Sequence, residues 1–131
     1  YDVAAATITA HPEVTKWIVT APNDEGAAGA ARALEAAGLD GEACVVGAGA
    51  YIAKEEFKKE YSCFKAAAYF SATVTGTVEG QAAMDFLNNG TEIFGDYHDT
   101  IEGDNAYGIY PLGGIMVDPT NYVDVMGPDA E

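Results

Sequence analysis

Apolar and polar positions fall in blocks along this chain, and the period within each block predicts an element. Residues 2–10 read as the body of a helix, which His11-Pro12 ends because the residue before a proline is pushed out of the α region. Trp17-Ile18-Val19-Thr20 is a short buried strand. Asn23 follows as a helix N-cap, and Asp24 and Glu25 suit the positive end of the helix dipole. An Ala-rich helix then runs to about Ala37 and stops at Gly38. Cys44-Val45-Val46 is a second strand, and residues 47–51 (Gly-Ala-Gly-Ala-Tyr) read as a flexible loop. A short polar helix carries Lys54, Glu55, Glu56, Lys58, Lys59 and Glu60, and a third strand covers residues 64–70.

Beyond that strand the character changes. Residues 73–76 read as a small-residue connector and residues 78–87 as a helix ending at Asn88-Asn89-Gly90. Residues 91–105 form a long polar segment, 107–110 and 114–117 read as strands, and Asp118-Pro119-Thr120-Asn121 starts a final short helix. Strands alternating with helices predict an α/β fold, a parallel sheet flanked by helices with right-handed crossovers. The βαβ unit over residues 11–49 places loops at the carboxyl ends of neighbouring strands, where open α/β sheets bind small ligands.

Composition narrows this picture. At 131 residues and 49% apolar content the chain can bury a core and is not of the disordered class. Its 21 acidic residues against 6 basic give a formal charge of -15, which repels phosphate backbones and anionic lipid. Nucleic acid and membrane surfaces are therefore disfavoured partners, and solubility explains the charge more simply than a specific basic partner does. No apolar run approaches the roughly 20 residues that span a bilayer. The chain opens in the middle of a helical pattern with no Met, which suggests a processed or truncated polypeptide. Cys44 and Cys63 each sit at the entry to a strand; if those strands are parallel neighbours, the two thiols lie at the same sheet end, and a disulfide and two free thiols both fit.

In order and spacing the chain resembles the carboxyl-terminal half of type I periplasmic sugar-binding proteins of ABC transporters, the ribose- and arabinose-binding group. The matching pieces are Ala10-His11-Pro12-Glu13-Val14, Trp17-Ile18-Val19, Asn23-Asp24-Glu25, Ala31-Arg32-Ala33-Leu34, Gly38-Leu39, Val45-Val46-Gly47, Phe64-Lys65-Ala66, Gly76, and Gly114-Ile115-Met116-Val117-Asp118. They cover most of the chain, with residues 91–105 unplaced. The resemblance implies part of a two-lobe protein: residues 1–70 as the βαβ core of the second lobe, 71–108 crossing into the first lobe, and 109–131 as a return strand and terminal helix. It implies a solute-binding component of an importer, periplasmic or extracellular, with a lipid anchor an option for the full-length protein. Its partners would be a sugar or polyol, an ABC permease, and either the missing amino-terminal half or a second copy in a swapped dimer. Membrane insertion, a cofactor and a metal are not expected. An effector-sensing domain of a lactose-repressor-type transcription regulator is the alternative with the same lobe architecture; the acidic charge and the lack of a helix-turn-helix count against it.

Four positions are carried over as ligand-binding candidates: Asn23, Gly49, Tyr51 and Phe70. The family uses the residue matching Asn23 to hydrogen-bond a sugar hydroxyl, and an amide supplies both donor and acceptor; simple N-capping explains the residue equally well. Many relatives carry an Asp where Gly49 stands, and Tyr51 and Lys54 replace the usual Asn and Asp. Those departures point toward a less ordinary sugar, a polyol or another polar solute. Tyr51 could stack on a ring or bond through its hydroxyl, or be a loop aromatic only. Phe70 falls near a pocket position and is otherwise ordinary strand core. Asp96, His98, Asp99, Glu102 and Asp104 form an acidic segment without zinc spacing or an EF-hand pattern, best read as solvated. No nucleophile elbow, H-E-x-x-H motif or dinucleotide fingerprint occurs, so no catalytic residue is assigned and an enzyme is not expected.

Overall fold

The structure, a computed structural model, describes residues 1–90, 99–100, 108–109 and 113–131. Its elements in chain order are α1 (Asp2–Ala10), β1 (Trp17–Thr20), α2 (Asp24–Ala36), β2 (Ala43–Gly49), α3 (Ala53–Phe57), β3 (Phe64–Tyr69), α4 (Ala72–Asn89), β4 (Asp99–Thr100), β5 (Gly108–Ile109), β6 (Ile115–Val117) and α5 (Tyr122–Met126). Short 3-10 turns cover Asp40–Glu42 and Gly127–Ala130. Two compact units result, one from Tyr1–Phe70 with Gly114–Glu131, the other from Ser71–Gly113.

The first unit is an α/β lobe built on an open four-stranded sheet of order β1-β2-β3-β6, flanked by helices. Strands β1, β2 and β3 run parallel, with Thr20 opposite Val46 and Gly49 opposite Tyr69. Strand β6 runs antiparallel to β3, with Ile115 opposite Tyr69, which corrects the expectation of an all-parallel sheet. The chain leaves the sheet at the carboxyl end of β3 and returns at Gly114 beside that same end. A Cβ on Gly114 would lie 2.8 Å from the Phe70 ring. A strand that re-enters there has to run back down the sheet.

Strand β2 is longer than its sequence suggests. Gly47, Ala48 and Gly49 pair with Ala67, Ala68 and Tyr69 as strand residues, where a loop was expected. Close packing, not flexibility, accounts for the glycine at 47. A Cβ there would come within 2.6 Å of both Asp24 Oδ1 and the Phe64 ring. The core lies between this sheet and α2, whose Ala27, Ala28 and Ala31 let the helix approach closely while Leu34 fills the space beneath it. Phe64, Leu34, Val45 and Val117 are the largest fully buried side chains. Phe57 packs edge-on to Phe64 at 6.3 Å between ring centroids and lies 5.6 Å from Tyr122. Cys44 and Cys63 are free thiols. Burial, with Asp40 adding to it, pushes the Cys63 thiol above its ordinary pKa.

The second unit contains α4 and the two-stranded antiparallel pair β4–β5. Residues 73–76, expected as a connector, form the first turns of α4. The Ser71 side chain accepts a hydrogen bond from Val74 N at 3.3 Å and so starts the helix earlier than the small residues suggested. Gly90, at φ 66°, ends it. No residue of α4 is buried, and Val74, Met84, Phe86 and Leu87 are all exposed.

Candidate functional site

The carboxyl edge of the three parallel strands is where the candidate residues meet. After β1 the chain turns through Ala21-Pro22-Asn23 into α2. Asn23 has extended backbone angles, and its Oδ1 accepts a hydrogen bond from Gly26 N at 2.9 Å. That is an N-cap, and it leaves the amide nitrogen of this exposed side chain without a partner among the described residues. Capping and ligand contact therefore use different atoms of one residue.

Asp24 reaches sideways. It is only 4% exposed, and its Oδ2 accepts hydrogen bonds from Ile52 N at 2.9 Å and Ala53 N at 3.1 Å. The carboxylate thus satisfies the open donors at the start of α3 and ties the loop after β2 to the start of α2. Its Oδ1 is buried with no hydrogen-bond partner. The loop it holds contains two successive residues of positive φ, Gly49 at 120° and Ala50 at 71°. Ala50 is fully buried and non-glycine, so this turn is held by its surroundings against its own preference. Gly49 lies against Asp24, with a Cβ position 3.8 Å from the carboxylate carbon.

The carboxyl-terminal 3-10 turn closes the next part of the edge. Tyr69 at the end of β3 donates to Asp129 Oδ2 at 2.6 Å, and Tyr51 donates to the same oxygen at 3.0 Å. The Tyr51 hydroxyl also lies 3.4 Å from the Phe70 carbonyl oxygen. The two tyrosine rings sit 6.0 Å apart, tilted by 59°. Lys54 Nζ donates to the Asp129 carbonyl at 2.8 Å and to the Glu131 carbonyl. Hydrogen bonds from Tyr69 and then Tyr51, together with the nearby Lys54 charge, hold the Asp129 carboxyl below its ordinary pKa.

All four carried-over positions therefore lie on one edge, in two pairs. Gly49 sits next to the carboxylate of Asp24, the residue after Asn23, while the Tyr51 hydroxyl meets the Phe70 carbonyl. Phe70 is outside the strand and 39% exposed, so it is not the core residue that the alternative reading offered. Tyr51 is part-exposed on its ring, with its hydroxyl already engaged within the chain. Sequence reading did not identify the clamp made by Asp24 or the turn held by Asp129, because every partner is remote in sequence. Asp96, His98, Glu102 and Asp104 lie outside the described residues; among the described residues no cluster of His, Cys, Asp and Glu could hold a metal ion. His11 lies 3.2 Å from Glu13 in the turn before β1.

No protein-family model and no curated protein matches the chain. What stands on its own is an α/β lobe with an open, mostly parallel sheet and a polar, aromatic carboxyl edge. Among the described residues no helix is long and apolar enough to cross a membrane.

Proposed function

We propose that this chain is one wall of a two-lobe solute-binding protein of the type I periplasmic class, capturing a sugar, polyol or similar small polar solute for delivery to an ABC permease. The observation that carries the reading is the free amide nitrogen of Asn23 on the carboxyl edge that also exposes Tyr51 and Phe70. A hydroxyl-rich guest offers acceptors for that amide and a face for the rings. Nothing in this role requires chemistry on the solute; a second wall closing over the edge would exclude water and supply the remaining contacts. Such a protein works outside the cytoplasmic membrane, which accords with a soluble acidic surface.

The test is an amide chemical-shift titration of the chain with a panel of pentoses, hexoses and polyols. One class of solute is expected to move the signals of Asn23, Tyr51 and Phe70 together. Asn23→Asp keeps an oxygen for Gly26 N while removing the amide donor, and it should weaken that response without unfolding α2. Shifts confined to other surfaces, or none at any concentration used, would overturn the proposal.

A further inference from the structure

Around Tyr51 the carboxyl edge is assembled on a carboxylate. Three donors from consecutive segments converge on the carboxyl-terminal turn: Tyr51 from the loop after β2, Lys54 from α3 and Tyr69 from the end of β3. Tyr69 reaches Asp129 Oδ2 at 2.6 Å, within the short range of a hydroxyl bonded to an ionised carboxylate. Lys54 brings a half-buried ammonium bonded to backbone carbonyls. Lys16, Lys58 and Lys59 form ion pairs, but Lys54 forms none among the described residues.

Two phenols and an ammonium suit an anion with several acceptor oxygens, since an ammonium can only donate. The set favours a charged carboxylate even in a chain of net charge -15. Tyr69, Tyr51 and Lys54 together hold Asp129 below its ordinary pKa. Distributed surface charge is screened beyond about 8 Å at physiological salt, so these close donors set the local preference. The turn has anchors besides Asp129, because Met126 and Ala130 on either side of it are buried in the core. Asp129 itself is partly exposed, on the same edge as the exposed rings of Tyr51 and Phe70. Its carboxylate thus sits where a solute has access, on a turn that other side chains hold in place.

We infer that Tyr51, Lys54 and Tyr69 form a binding site for the carboxylate of a small acidic solute, and that Asp129 fills this site in cis until such a solute displaces it. Asp129 then acts as a tethered competitor, lowering the apparent affinity for every external carboxylate by the fraction of time it is bound. For the guest as a whole this rests on the solute-capture reading and names its class: a hydroxylated acid, with hydroxyls toward Asn23 and the carboxylate toward the two tyrosines.

The experiment titrates the unsubstituted chain, Asp129→Ala and Asp129→Asn with acetate, gluconate and glucitol at constant ionic strength. Glucitol is the polyol counterpart of gluconate without its carboxylate. The readouts are the Tyr51 and Tyr69 ring signals, the Lys54 Nζ signal and the Asn23 side-chain amide. Acetate and gluconate are expected to move both rings and Lys54 in Asp129→Ala, with dissociation constants about tenfold or more tighter than in the unsubstituted chain. Glucitol should leave those three signals in place. Asp129→Asn keeps an oxygen for the tyrosines while removing the charge, so it should tighten binding by an intermediate factor. It carries the test if Asp129→Ala does not fold. Tyr69→Phe added to either variant should weaken the response to both acids. Equal carboxylate affinity in all three proteins, or a response that chloride reproduces, would overturn the inference. Failure of the solute-capture reading looks different: both acids move the rings and Lys54, supporting the carboxylate site, while Asn23 stays silent to gluconate and glucitol alike.

Discussion

Two neighbouring residues at the start of α2 divide one task between them. Asn23 caps its own helix, three residues ahead, and Asp24 caps the backbone of a loop 28 residues away. Replacing Asn23 by Ala removes the cap and should cost about 1 kcal/mol in urea unfolding, whereas Asn23→Asp should cost little. Asp24→Ala leaves two backbone donors without their acceptor and should cost about 2–4 kcal/mol by the same measurement. Gly47→Ala would force a methyl to within 2.6 Å of Asp24 Oδ1 and the Phe64 ring, and overpacking of this kind costs about 1–3 kcal/mol. The cap was legible in the sequence because its partner is local. The role of Asp24 was not, since nothing near it in the chain announces Ile52 and Ala53 as partners; a lone carboxylate after an N-cap reads only as a dipole partner.

At the scale of elements, the strands with β-branched and aromatic residues and the helix bounded by Asn23 and Gly38 were readable from periodicity and caps. The missed boundaries share a cause. Gly47-Ala48-Gly49 and residues 73–76 are small residues of weak preference, and the outcome at both places is decided by what packs or hydrogen-bonds there. The direction of β6 was not readable at all, because it depends on where the chain returns to the sheet. The carboxyl-terminal turn adds a pH dependence of its own. Asp129 is held below its ordinary pKa, so its contribution is present above the unfolded carboxyl value of about 3.9 and is lost as pH falls through the lower folded-state value. The chain should therefore lose an acid-sensitive part of its stability in that window. Asp129→Asn should remove this part, as read from thermal midpoints at neutral and acid pH. A parallel fall in both proteins would exclude the Tyr69–Asp129 contact as its source.

For the whole molecule, the sheet lobe presents two unlike margins: a polar, aromatic edge at the strand carboxyl ends and a bare strand edge at β1. The first carries the proposal for solute capture. The formal charge of -15 repels phosphate backbones and other strongly acidic surfaces. Fold class was readable from the alternation of strands and helices; the nature of any ligand was not, because the side chains at the carboxyl edge are brought together by contacts remote in sequence. The most direct test is calorimetry of the chain with pentoses, hexoses and polyols, alongside Asn23→Asp. A lone wall predicts dissociation constants of about a millimolar or weaker for the preferred solute, weakened further by the substitution. Micromolar binding by this chain alone, or binding indifferent to Asn23, would contradict the account.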